Sequence, residues 1–230
     1  MPSAIARKFA AILARLIIWG FAALWFAPLS FSLENNALET LDAAEISRLE
    51  RGEIISDIWR DSDRNDGAID AFAAVYIKAS PQQIWAVMTN CEATLEVVSS
   101  MKSCRILESS PQPASSGKHW DVREQIFKTP FPFSDLKTVF RSEYTPFSQI
   151  KIRAAGGGMK VQDAYWVITP ITDEISRVTY RATVQPKAPV PRFLLRRAVK
   201  RDTPEILSNL RDIVQARAQT YPQHLTGLSK

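Results

Sequence analysis

A chain of 230 residues that is 46% hydrophobic and 23% charged has the balance of a globular domain with one sizeable core, which excludes a largely disordered protein. The formal charge of +5 overstates its basicity: three of the 29 Lys+Arg, namely Arg7, Lys8 and Arg15, lie in an acid-free first segment, leaving 26 against 24 Asp+Glu beyond residue 32. So even a balance gives no electrostatic footprint for nucleic acid.

Taken in chain order, residues 1–32 read as an export signal. The three cations form a positive start, residues 16–33 are uncharged and mostly apolar, and Ser30 and Ser32 place small residues before a cleavage point. The alternatives are an inner-membrane anchor over residues 16–33, short for a span and broken by Gly20 and Pro28, and a mitochondrial presequence, which the compact apolar run disfavours. The expected location is therefore exported, in the periplasm. Residues 33–67 form an N-terminal extension. It has a short helix carrying Leu38, Leu41, Ile46 and Leu49 with Thr40 or Asp42 as cap, a strand over 53–60, and an exposed turn over 61–67.

The main domain spans 68–219, followed by a tail over 220–230. A strand over 68–79 leads into a helix that starts at Ser80-Pro81, with proline at the first helical position. A second short helix follows over 91–98. Six strands then fall at about 102–108, 118–127, 134–144, 149–155, 161–169 and 174–185, separated by stretches rich in Gly, Pro, Ser and Asp. Their alternation has one polar face, the mark of an antiparallel sheet. Trp120, Val122, Glu124 and Ile126 share a face, as do Phe140, Ser142 and Tyr144. The last apolar stripe puts Leu195, Val199, Ile206, Leu210 and Ile213 in one arc of a long helix, flanked by Ala198, Leu207 and Val214, with Asp202 inside the arc. Pro204 interrupts it, so a kink is expected there, or a restart with Thr203 or Asp202 as cap.

The order of elements is that of a helix-grip fold. The segments Ile77-Lys78-Ala79-Ser80-Pro81-Gln82-Gln83-Ile84-Trp85, Met101 to Glu108 and Val190 to Arg197, with Trp166 in a late strand, resemble the START/polyketide-cyclase-like (SRPBCC) superfamily. The likeness is greatest to bacterial exported relatives of the coenzyme Q-binding START-domain proteins, and it covers about residues 46–218. It implies an α+β fold: a curved antiparallel sheet of about seven strands wrapped around a long C-terminal helix, with two short helices after the first strand. It also implies a cavity between the sheet and that helix. The chain departs from the pattern at Asn90-Cys91 and Ala93-Thr94-Leu95, so the cavity is carried over and no ligand set is.

Candidate walls of that cavity are Trp85, Trp120, Phe140, Tyr144, Trp166 and Tyr180, whose flat rings suit an apolar ligand, with Leu195 and Val199 from the helix. Plain core packing is the alternative for each. Phe131 and Phe133, between the prolines of Thr129–Phe133, and Phe193, Arg196 and Arg197 are candidates for a gate or a transient membrane contact. Cys91 and Cys104 are either a disulfide or two buried thiols, and export favours the disulfide. With two histidines, neither near a cysteine pair, no metal site is expected, and no cofactor motif is present. The reading is an exported, non-enzymatic protein that binds or transports a hydrophobic small molecule such as a lipid, quinone, sterol or hopanoid. The alternative is a cyclase/dehydratase-type enzyme on an aromatic or polyketide-like substrate, working through Glu124, Arg141 or Asp202. A third possibility is docking to another envelope protein through residues 129–133. No oligomeric state follows.

Overall fold

The computed structural model describes residues 41–59, 67–111, 119–129 and 134–220. The expected export segment, Phe131, Phe133 and the tail beyond 220 lie outside them, as does most of the turn over 61–67. The described elements are α1 (Ala43–Glu50), β1 (Ile55–Trp59), β2 (Ile69–Ile77), α2 (Pro81–Met88), α3 (Cys91–Val97), β3 (Met101–Ser109), β4 (His119–Phe127), β5 (Leu136–Thr145), β6 (Gln149–Gly157), β7 (Met159–Pro170), β8 (Ser176–Pro186) and α4 (Arg192–Thr220).

Local sequence sets the helix starts. Asp42 accepts from the backbone N–H of Glu45 while the Glu45 side chain reaches back, a capping box that begins α1. Ser80 and Gln83 repeat the device at α2, with Pro81 at the first helical position. Asn90 caps α3 through the N–H groups of Glu92 and Ala93.

The strands form one antiparallel sheet in the order β1-β2-β8-β7-β6-β5-β4-β3, eight strands where about seven were expected. The strand of the N-terminal extension belongs to the sheet: β1 extends it beyond β2. From β3 to β8 each strand pairs with its sequence neighbour, and β2 then closes onto β8. Gly157 makes the β6–β7 corner possible, with φ of 70° and a position where a Cβ would lie 2.6 Å from the Lys137 carbonyl oxygen.

The inner face of β2 carries Ala73, Val75 and Ile77, which pack with Val178, Leu207, Leu210 and Val214 in the main core. The outer face of β2 is covered by α1, where Leu49 joins Ile55 and Ala74. Helix α4 is continuous across Pro204 and does not restart there. The proline therefore lacks only the hydrogen bond its own N–H would make, and packing on the sheet holds the helix through it. Its buried line is Thr203, Leu207, Leu210 and Val214, the edge of the expected arc that carries Leu207 and Val214, so Asp202 is not at its centre. Asp202 turns aside to pair with Arg201 at 2.6 Å and caps nothing.

The second half of α4 is tied to its surroundings by side-chain hydrogen bonds. Asn209 donates to the Val97 carbonyl at 3.0 Å, Arg211 to that of Gly52 at 3.0 Å, and Arg217 to Glu96 at 3.0 Å. A disulfide joins Cys91 at the start of α3 to Cys104 in β3, with Cα atoms 5.4 Å apart. It closes a loop of sequence separation 13 that contains all of α3. In the chain-entropy account such a bridge stabilises the fold by about 3 kcal/mol. Urea denaturation with and without a thiol reductant should show a loss of that size, and a Cys91→Ser/Cys104→Ser variant should match the reduced protein.

Candidate functional site

Cross-strand register builds the inner face in rows. One row reads His119, Tyr144, Ile150, Trp166, Tyr180, Ala73 across β4, β5, β6, β7, β8 and β2. The next reads Asp121, Ser142, Ile152, Ala164, Ala182, Ala71. A third begins with Arg123 and Phe140. A row of mostly short side chains thus lies between rows of long ones, and it leaves a hollow in the sheet.

Over the hollow sit α2, α3 and the Pro204 half of α4. The cavity is about 190 Å³ and is partly open. Its apolar walls are Val87, Met88, Val97, Val98, Met101, Phe127, Phe140, Ile150, Ile152, Trp166, Ile206 and Leu210. Polar side chains enter it from β4, β5, β7 and β8: Arg123, Gln125, Ser142, Tyr144, Gln162 and Tyr180. A single water needs only about 10–15 Å³ on this measure, so the space is that of an organic molecule.

One end holds a buried ionic cluster. Arg123 contacts the Asp121 carboxylate through Nε at 2.9 Å and Nη2 at 2.8 Å, and its Nη2 also donates to the Thr89 carbonyl at 2.7 Å. The Tyr144 hydroxyl donates to the same Asp121 oxygen at 2.8 Å, and His119 stacks on the Tyr144 ring with centroids 4.5 Å apart. Both charged residues are 5% exposed, so the pair is desolvated and each partner depends on the other. Burial raises the Tyr144 phenol well above its usual range; the Arg123 charge opposes this and Asp121 adds to it. Tyr180, stacked on Trp166 with centroids 4.3 Å apart, is pushed up to about 12 by burial alone. Both phenols are therefore neutral at physiological pH.

Phe140, Tyr144, Trp166 and Tyr180 come together on the cavity wall, but the other candidates do not. Trp85 is buried in the core, edge-on to Tyr144 at 5.9 Å. Trp120 points to the opposite side of the sheet, where the Arg141 guanidinium lies 3.9 Å above its ring. Leu195 and Val199 are half-buried on the first half of α4, away from the cavity. Phe193, Arg196 and Arg197 share a shallow surface depression with Lys200 and Arg201, and Phe193 is 69% exposed. Glu124, Arg141 and Asp202 do not converge. Glu124 pairs with Arg105 and Lys137 on the outer face, and those partners, Lys137 first, hold its carboxyl below the usual range. Arg141 lies near Glu143 on that face too. No cluster of three metal-ligand side chains occurs among the described residues.

Asp121, Arg123, Gln125 and Gln162 were not singled out from the sequence. Asp121, Arg123 and Gln125 alternate along β4, and their period of two was the available signal. Polar side chains in such an alternation ordinarily face solvent, so the period alone does not mark them as cavity residues.

A family model described as polyketide cyclase / dehydrase and lipid transport matches residues 77–211, more than half of the chain. No curated protein sequence matches it. Among solved structures, a STAR-related lipid transfer protein from Xanthomonas axonopodis is similar with a TM-score of 0.58 at 16% identity, over 70% of this chain and 93% of that one. Human STARD10 gives 0.59 at 12% identity, over 81% and 85%. A Streptomyces aromatase/cyclase gives 0.55 at 14%, over 66% and 96%. At these identities the likeness is one of fold.

Removing the cation from the ionic cluster strands a buried carboxylate. Arg123→Met should destabilise the protein by about 3–5 kcal/mol, and Asp121→Asn added to it should restore much of the loss. Urea denaturation of the single and double variants checks this; equal stability of Arg123→Met and wild type would show that the pair holds nothing.

Proposed function

Because the chain belongs to the polyketide cyclase / dehydrase and lipid transport family, we propose that it is an exported container for a hydrophobic small molecule, which it binds or carries without chemical change. The observation that carries this reading is the cavity of about 190 Å³, walled by Met88, Val97, Phe140, Ile152, Trp166, Ile206 and Leu210. An apolar molecule cannot stay dispersed in water without such a shelter. The titratable groups at the cavity favour binding over turnover. Tyr144 and Tyr180 hold their protons far above neutral pH, and the charge of Arg123 is paired with Asp121. A cyclase or dehydratase would have to work through these same groups, since Glu124 and Arg141 lie on the other face of the sheet.

Export is supported by the positive, acid-free start with its uncharged run over residues 16–33, and by the Cys91–Cys104 bridge, which suits an oxidising compartment. No helix among the described residues is long and apolar enough to cross a membrane.

Organic extraction of the purified protein followed by mass spectrometry should release an apolar compound in near-stoichiometric amount. Ile152→Trp fills the hollow, at a cost of about 1–3 kcal/mol in stability, and should purify without that compound. A wild-type protein that carries nothing and binds no apolar dye would sink the reading. For export, fractionation of expressing cells should place the protein outside the cytoplasm with Leu33 as its first residue; an intact Met1 on a membrane-bound protein would point to the anchor.

A further inference from the structure

Among the described residues the cavity has one charged lining residue, Arg123, and its charge is paired with that of Asp121. Its Nε and Nη2 are taken up by the Asp121 carboxylate and the Thr89 carbonyl. An anionic group placed in the cavity would therefore find no unmatched cation among the described lining residues. Desolvating a carboxylate without such a partner costs several kcal/mol.

Tyr180 presents the opposite situation. Its ring is fixed in the aromatic row by Trp166, and it lines the cavity. Among the described residues its hydroxyl has no hydrogen-bond partner, and burial is the only influence on its proton affinity. The Thr138 hydroxyl and the Gln162 carbonyl oxygen are sealed within protein, whereas the Tyr180 oxygen is not so enclosed. It is a neutral O–H donor on the cavity wall, and a ligand oxygen placed beside it would accept its hydrogen bond.

We propose that the Tyr180 hydroxyl is the donor that recognises the ligand, and that the ligand is an uncharged apolar molecule bearing a carbonyl oxygen, with free fatty acids excluded. This rests on the reading of the protein as a container. The O–H gives orientation, the walls give affinity, and the neutral cavity sets the charge that is admitted.

The test uses the full chain and three probes of matched length: decane, the corresponding methyl ketone and decanoate. Each competes for the cavity with the fluorescent dye N-phenylnaphthylamine at neutral pH. Wild type should prefer the ketone to decane by about threefold to tenfold, the worth of one hydrogen bond, and should bind decanoate weakest. Tyr180→Phe should remove the preference for the ketone and leave decane binding unchanged. Its melting temperature should not fall, since the lost hydroxyl serves no protein partner. Trp166→Phe keeps the hydroxyl while loosening the stack, and should retain the preference. Tighter binding of decanoate than of the ketone overturns the proposal, as does a preference that survives in Tyr180→Phe. If all three probes bind equally, the container stands and the proposal falls. If none displaces the dye and the dye itself does not bind, the container reading fails as well.

Discussion

The seating of α4 is the constraint on which the rest depends. Its buried line of Thr203, Leu207, Leu210 and Val214 is one helix face wide, and a single face can close on only part of a curved sheet. It closes chiefly on β1 and β2, beside α2 and α3. There Ala73, Val75 and Ile77 let it approach, and the main core forms. The inner faces of β4 to β7 are left to α2 and α3 and to whatever fills the gap. A cavity follows from that asymmetry and needs no special device, because the interior is otherwise packed to solid density.

The second requirement is that the gap should not collapse. Long rings of the aromatic row stand on one side of the short row of Ser142, Ala164 and Ala182, and the Arg123–Asp121 pair stands at its end. An ion pair of this kind contributes little net stability but fixes geometry, since neither partner can move without stranding the other. The disulfide does comparable work on the wall above. It anchors α3 to β3, while Asn209 and Arg217 anchor α3 to α4. Wall, floor and lid are thus tied to one another rather than to the contents.

Much of this was legible in the residues. The helix starts at Asp42, Ser80 and Asn90 are written in short-range side-chain chemistry, so they can be read locally. The strands from β3 to β8 announce themselves by alternation and by the turn residues between them, and the helix-grip order follows. Facing was harder. In β4 the apolar residues Trp120, Val122 and Ile126 point outward, and the polar Asp121, Arg123 and Gln125 point inward. Period two identifies the two faces but cannot say which is inside, and a cavity with a polar end inverts the usual rule. Arg141 over Trp120 shows how an outward ring is accommodated, by a cation laid across its face. At Pro204 local propensity argued for a break, and tertiary packing overrode it. The buried face of α4 was rotated from the expected arc for the same reason: Leu207 and Val214, at the edge of the apolar arc, are buried together with Thr203, and contact with the sheet chooses that edge over Asp202.

The pairing of β2 with β8 has a consequence for how the molecule comes together. Ile77 lies opposite Ser176, so roughly 100 residues must be gathered before that ladder can begin. Strands β3 to β8 form a meander of local hairpins, and each can zip from its own turn. The β2–β8 seam is of high contact order and belongs to the slow end of assembly. Helix α4 seats on β2 and follows β8 directly in the chain, so it completes its contacts only when that seam closes. The hollow therefore stays open to solution through most of folding and is roofed at the end, when its floor is already formed.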